Sequence, residues 1–103
     1  MAVQDEIKQL VEGNKIVIFM KGTPQMPMCG FSAATCEVLK TLGVPFHSVN
    51  VLAAPAIREG IKQYTNWPTI PQVFIGGKFV GGCDIVREMH ASGELAKLVS
   101  QAG

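Results

Sequence analysis

The chain has 103 residues, room for one domain, because a second independent core needs roughly 50 or more residues of its own. It is 48% hydrophobic and 17% charged, less charge than the ~25% of an average soluble domain, which excludes disorder. Nine Lys and Arg against eight Asp and Glu leave a net charge of +1, far from the basic excess that points to nucleic acid, so partners must be read from local sites.

No apolar run approaches the ~18 to 20 residues of a membrane span, and the chain reads as soluble. Asp5 and Glu6 stand where a secretory signal or transit peptide would be basic and acid-poor, so no targeting segment is read at the N-terminus. The three cysteines, Cys29, Cys36 and Cys83, are odd in number and irregular in spacing. That pattern argues against a secreted disulfide framework and for a reducing, intracellular setting.

Val3, Ile7, Leu10 and Val11 recur at helical spacing, which predicts a helix over Ala2 to Glu12 closing at Gly13-Asn14. Ile16-Val17-Ile18-Phe19-Met20 is an unbroken, β-branched apolar run and reads as a central strand covered on both faces. Gly22 to Met28 is a loop. A helix follows from near Cys29 to Leu42, stopped by Gly43 and Pro45, with Ala34, Val38, Leu39 and Leu42 toward the core.

Phe46 to Val51 reads as a second strand. Pro55 suits the first turn of a helix running to about Tyr64, with Ile57, Ile61 and Tyr64 inward. Gln72–Ile75 and Lys78–Val80 flank Gly76-Gly77, a strong hairpin signal. One or two helices from about Asp84 to Ser100 complete the order. A strand-helix-strand crossover followed by a hairpin makes an α/β fold, a four-stranded mixed sheet with helices on both faces, in a single domain over 1–103.

Cys29 sits between a Pro-rich loop and the first turn of a helix, where backbone N–H groups and the helix dipole favour negative charge. Lys21 at the end of the preceding strand adds a positive charge. Two readings stand side by side: a reactive thiolate, or a small hydrophobe at a loop end. In Cys29-Gly30-Phe31-Ser32 a serine stands where a dithiol oxidoreductase has its resolving cysteine, so an external thiol must finish any exchange. Cys36 lies two helical turns on, about 10 Å away, too far for a disulfide with Cys29, and reads as packing.

In Trp67-Pro68-Thr69-Ile70-Pro71, Pro71 either marks a cis bond that leaves the Ile70 backbone open to an extended peptide, or belongs to an ordinary turn. Arg58 and Lys62, four residues apart, form a clamp for a carboxylate or a solvated face. Gly82-Cys83-Asp84 opens a helix whose N–H groups suit a carboxylate, although Asp84 also fits a plain N-cap. His47 and His90 have no partner at metal spacing.

Lys21 to Ser32, Trp67 to Gln72 and Gly81 to Asp84 together resemble the monothiol glutaredoxins of the single-domain Cys-Gly-Phe-Ser class, and the resemblance spans nearly the whole chain. It implies a thioredoxin fold, a cis bond at Pro71 and a glutathione site beside the active cysteine. Carried over by position, Cys29 is the thiolate and cluster ligand, and Lys21 the cation near the thiol and the glycine end of glutathione. Arg58 and Lys62 clamp the glycine carboxylate, the Ile70 backbone pairs with the glutathione cysteine, and Cys83 with Asp84 hold the γ-glutamyl end.

A [2Fe–2S] cluster takes four thiolates, more than one reactive cysteine supplies. Two chains each giving Cys29, with two glutathione thiolates, make four. The leading expectation is therefore a carrier whose cluster bridges a homodimer and passes to apo iron–sulfur proteins, with BolA-like proteins as partners implied by the family. The mitochondrial matrix is the leading compartment, with plastid stroma and bacterial cytoplasm as alternatives. The alternative function is glutathione-dependent thiol–disulfide exchange through Cys29; a third is a peptide-binding module that uses the Ile70 backbone alone.

Overall fold

The computed structural model describes residues 2–102, so both ends of the 1–103 span lie outside the described residues. Its elements are α1 (Val3–Glu12), β1 (Ile16–Met20), α2 (Gly30–Thr41), β2 (His47–Asn50), α3 (Pro55–Thr65), β3 (Gln72–Ile75), β4 (Lys78–Gly81), α4 (Cys83–Ser92) and α5 (Glu94–Gln101). The order is the expected one. The C-terminal stretch divides into two helices at Gly93, whose φ of 85° a side chain rarely adopts.

The sheet runs β2-β1-β3-β4, with β1 parallel to β2 and antiparallel to β3, and with β3 antiparallel to β4. Gly76 and Gly77 both have positive φ, the requirement of the tight hairpin turn that joins β3 to β4. All five residues of β1 are buried, and their alternation divides the interior. Ile16, Ile18 and Met20 pack with Cys36 and Leu39 of α2, Val86 of α4, and Leu95 and Val99 of α5. Val17 and Phe19 pack on the opposite face with Ile7 and Val11 of α1 and Ile57 and Ile61 of α3. Helices therefore cover both faces, which is what an unbroken apolar strand demands.

Three expectations need correction. In α2 the fully buried residues are Ser32, Thr35, Cys36 and Leu39; Val38 and Leu42 are half-buried and pack against the same core as expected, whereas Ala34 does not join it. Two hydroxyls are tolerated inside because each is hydrogen-bonded: Thr35 donates to the Phe31 carbonyl at 2.8 Å, and Ser32 accepts the Lys21 amide at 3.1 Å. Tyr64 is not a core residue. It remains 36% exposed while its ring lies 6.1 Å from that of Phe74. The second strand is shorter than Phe46 to Val51: the ladder with β1 pairs His47–Asn50 with Val17–Met20, and Val51 adds only its amide bond to the Met20 carbonyl at 2.9 Å before the chain turns away.

Candidate functional site

A short, tightly bonded loop carries the chain from β1 to Cys29. Thr23 and Met26 exchange both backbone hydrogen bonds at 3.1 Å, and the Met28 amide donates to the Lys21 carbonyl at 2.9 Å. Asn50 of β2 accepts the Gly22 amide through its side chain at 3.0 Å. Gly22 has φ +92°, and a Cβ there would lie 2.5 Å from the Met26 carbonyl oxygen and 2.7 Å from the Met28 nitrogen. Glycine is thus required for the loop to close on itself.

Cys29 is the N-cap of α2 in extended conformation, one residue before the helix proper. The thiol makes no side-chain cap bond. Its acidity is nevertheless raised: the backbone amide of Ser32 favours the thiolate most, partial burial opposes it, and the Phe31 amide, the Lys21 charge and the Ser32 hydroxyl add to the lowering of the pKa. Cys36 behaves oppositely. It is 1% exposed, with Sγ 3.5 Å from the Met20 sulfur, and burial pushes its thiol up.

Cys29 opens onto a cleft of about 710 Å³. Lys21, Cys29, Arg58, Lys62, Ile70, Cys83 and Asp84 all line it, so the residues singled out in five different segments meet on one concave surface. Arg58 and Lys62 face it from one side of α3; Lys62, half-buried, also reaches the exposed Glu59 at 3.8 Å, an interaction of small consequence. The Ile70–Pro71 bond is cis. No hydrogen bond within the described residues engages the Ile70 amide or carbonyl.

On the opposite wall Gly82 caps α4, and Cys83 is its first residue. A Cβ on Gly82 would sit 3.3 Å from the Pro71 carbonyl oxygen and 3.4 Å from the Trp67 indole nitrogen. The glycine thus lets the α4 N-terminus approach the Pro71 loop. Cys83 itself is 7% exposed and lines the cleft. Sequence reasoning gave no role to Phe31, Trp67, Thr69 or Ile85, which also line the cleft. Their signal was adjacency, since each sits one to three residues from an assigned position. Arg58 Nε and Trp67 Nε1 are buried without a partner among the described residues.

A basic, half-apolar cleft beside an acidified thiol, framed by a cis-proline backbone and a helix N-terminus, suits a small thiol peptide with carboxylates at its ends. A family model described as Glutaredoxin matches residues 16–80. The chain belongs to the glutaredoxin family, in its monothiol branch. It is 53% identical over 93% of its length to the "Uncharacterized monothiol glutaredoxin ycf64-like" of Synechocystis, covering 90% of that protein. It is 50% identical to "Monothiol glutaredoxin-S14, chloroplastic" of Arabidopsis thaliana over 97% of this chain and 58% of that one. The zebrafish (Danio rerio) "Glutaredoxin-related protein 5, mitochondrial" is likewise 50% identical, over 99% of this chain and 66% of that one. Among solved glutaredoxins, the solution structure of reduced poplar apo GrxS14 superposes with TM-score 0.86 at 45% identity, covering 99% of this chain and 97% of that one. The crystal structure of a buckwheat glutaredoxin–glutathione complex does so with TM-score 0.87 at 32% identity, covering 98% and 90%. The thioredoxin-type fold of these glutaredoxins is the one described above. Among the described residues, no helix is long and apolar enough to cross a membrane.

Proposed function

We propose that this monothiol glutaredoxin binds glutathione in the Cys29 cleft and carries a [2Fe–2S] cluster as cargo between two copies of itself, for delivery to apo iron–sulfur proteins. The observation that carries the reading is the pairing of one acidified, accessible thiol with a buried serine at the fourth position of its motif. Such a thiol ligates and exchanges, but has no neighbour with which to close a disulfide.

Glutathione fits by chemistry. Arg58 and Lys62 suit one carboxylate, the unpaired Ile70 backbone suits an extended cysteine residue, and the N-terminus of α4 at Cys83 and Asp84 suits the other carboxylate. Lys21 adds a further positive charge in the same cleft, acting on the thiol. The buckwheat complex supports the reading, because a relative of the same fold holds glutathione.

The donor set supports a shared cluster. Among the described residues there is no group of three or more Cys, His, Asp or Glu able to hold a metal ion, so a [2Fe–2S] unit must draw ligands from a second chain and from glutathione. Bound there, the cluster supplies iron and sulfide for transfer. The chain's own part is to present the Cys29 thiolate, hold glutathione by its two ends and neutralise charge with Lys21. BolA-like proteins and apo acceptors are the partners of this reading. Its compartment is the mitochondrial matrix, with plastid stroma and bacterial cytoplasm as the alternatives matched by the chloroplastic and Synechocystis relatives.

Anaerobic reconstitution with iron, sulfide and glutathione tests it. The parent should become coloured and dimeric by size-exclusion chromatography, Cys29→Ser should stay colourless and monomeric, and Cys83→Ser should behave as the parent. Full cluster loading in Cys29→Ser, or loading without glutathione, overturns the bridging arrangement. The lowered Cys29 pKa also favours a second reading, removal of glutathione from mixed disulfides by thiolate attack and release by a second glutathione. Colourless reconstitution with rapid deglutathionylation would select it.

A further inference from the structure

Gln72 opens β3 opposite Phe19 and is completely buried, at a position where an apolar side chain would pack. A buried amide is costly unless its donors and acceptor are used. Here they are. Its Nε2 donates to the Trp67 carbonyl at 3.0 Å and to the Thr69 carbonyl at 3.1 Å, and its Oε1 accepts from the Thr65 hydroxyl at 2.9 Å. The Thr65 oxygen in turn accepts the Trp67 amide at 3.1 Å, and its single proton is shared between Gln72 and the Ile61 carbonyl at 3.0 Å.

This clasp closes the turn between α3 and β3 from within. Two carbonyls of the Trp67–Pro71 segment are drawn inward onto one amide, while the Ile70 amide and carbonyl between them and β3 have no hydrogen-bond partner among the described residues. The same segment forms a wall of the cleft facing Cys29. We propose that Gln72, together with Thr65, is a positioning residue that holds the Trp67–Pro71 wall in the one shape that turns the Ile70 backbone toward glutathione. It touches neither ligand nor thiol. The inference rests on the reading of this cleft as a glutathione site.

The test compares two mixed disulfides of Cys29 in the full chain, each formed by thiolate attack on a symmetric disulfide with release of one thiol. One probe is glutathione disulfide; the other is 2-hydroxyethyl disulfide, which has no peptide for Ile70 to pair with. Equilibrium constants are read by intact-mass spectrometry in thiol–disulfide buffers, with fluorescence of Trp67, the single tryptophan, reporting the wall.

The parent is expected to favour the glutathione adduct. Gln72→Leu should lose about tenfold of that preference, the scale of a hydrogen bond or two, with the hydroxyethyl constant unmoved and the Trp67 emission shifted. Gln72→Glu should show a preference that returns as pH falls, because protonation of a buried carboxyl restores a donor to one carbonyl; a packing role has no such pH profile. Thr65→Val should follow Gln72→Leu, and Thr65→Ser should be rescued. A parent without the preference refutes the glutathione reading itself. A parent with it, and a folded Gln72→Leu that keeps it, refutes the proposal. Should Gln72→Leu not fold, the Thr65 pair decides, and a Thr65→Val that binds like Thr65→Ser refutes it equally.

Discussion

The Ser32 hydroxyl, fully buried, accepts the Lys21 amide at 3.1 Å. The bond joins the first turn of α2 to the residue that follows β1, so the thiol-bearing helix and the cation of the site are held in register by the residue that replaces a second thiol. Serine at this position is therefore more than a missing cysteine.

Ser32→Cys is expected to raise disulfide reductase activity, since a thiol one helical turn from Cys29 resolves a mixed disulfide. It should also lower stability by about 0.5 to 1.5 kcal/mol, because sulfur is a weak acceptor for the Lys21 amide. Reduction of a small disulfide and urea unfolding check the two halves. A variant no faster than its parent would show that Ser32 does not limit the cycle.

Alkylation by iodoacetamide follows the thiolate fraction, so the Cys29 rate should rise with pH through a midpoint below that of an ordinary cysteine. A lowered thiol pKa means that the reactive form persists to lower pH. Lys21→Ala removes a charge that favours it and should move the midpoint upward. Cys36, buried and shifted the other way, should react only when the chain unfolds. Rates measured residue by residue with mass spectrometry decide between these outcomes.

Gly22→Ala should cost about 1 to 3 kcal/mol, because it forces a side chain onto φ +92° and against two backbone atoms. Relief of the clash disturbs the two backbone bonds that these atoms make, from the Thr23 amide to the Met26 carbonyl and from the Met28 amide to the Lys21 carbonyl. Thermal unfolding should show the loss, and a Cys29 alkylation midpoint moved toward the ordinary value should accompany it. An unchanged midpoint would mean that the loop does not set the thiol's surroundings.

Replacing Arg58 and Lys62 together with Ala should weaken glutathione binding by about 1 to 3 kcal/mol, the range of charge-assisted hydrogen bonds. The Lys62–Glu59 pair is 3.8 Å long with Glu59 exposed, and it breaks at little cost. Calorimetric titration and its salt dependence provide the measurement. Equal affinity in parent and variant would reduce the pair to a solvated face.

The elements most legible in the sequence were those whose burial is one-sided or complete. Ile16 to Met20 announced a doubly covered strand because every residue is apolar, and Gly76-Gly77 announced a hairpin because two positive φ values in succession need glycine. The seven candidate site residues were legible from short motifs around Cys29, Ile70 and Cys83 and from the spacing of Arg58 and Lys62 on one helix, and the fold brings all of them to one cleft. Less legible was whatever depends on polar groups finding partners inside. Ser32, Thr35 and Gln72 look like surface residues in a linear reading, and only the hydrogen bonds of the folded chain account for their burial. Tyr64 erred the other way, since helical spacing sets the direction of a ring but not how far it reaches from the edge of the core.

Because β1 contributes alternate residues to both halves of the interior, neither half can melt while the other keeps that strand in place. Its amides belong to the unit that opens only with the whole molecule, and in hydrogen exchange they should be the slowest. Lys21 and the loop to Cys29 are mounted directly on its end, whereas the facing wall hangs from the junction of α3 with β3. The cleft thus has one jaw fixed to the most protected part of the protein and one jaw fastened by a handful of side-chain bonds. Motion that admits or releases a ligand should be found in the second.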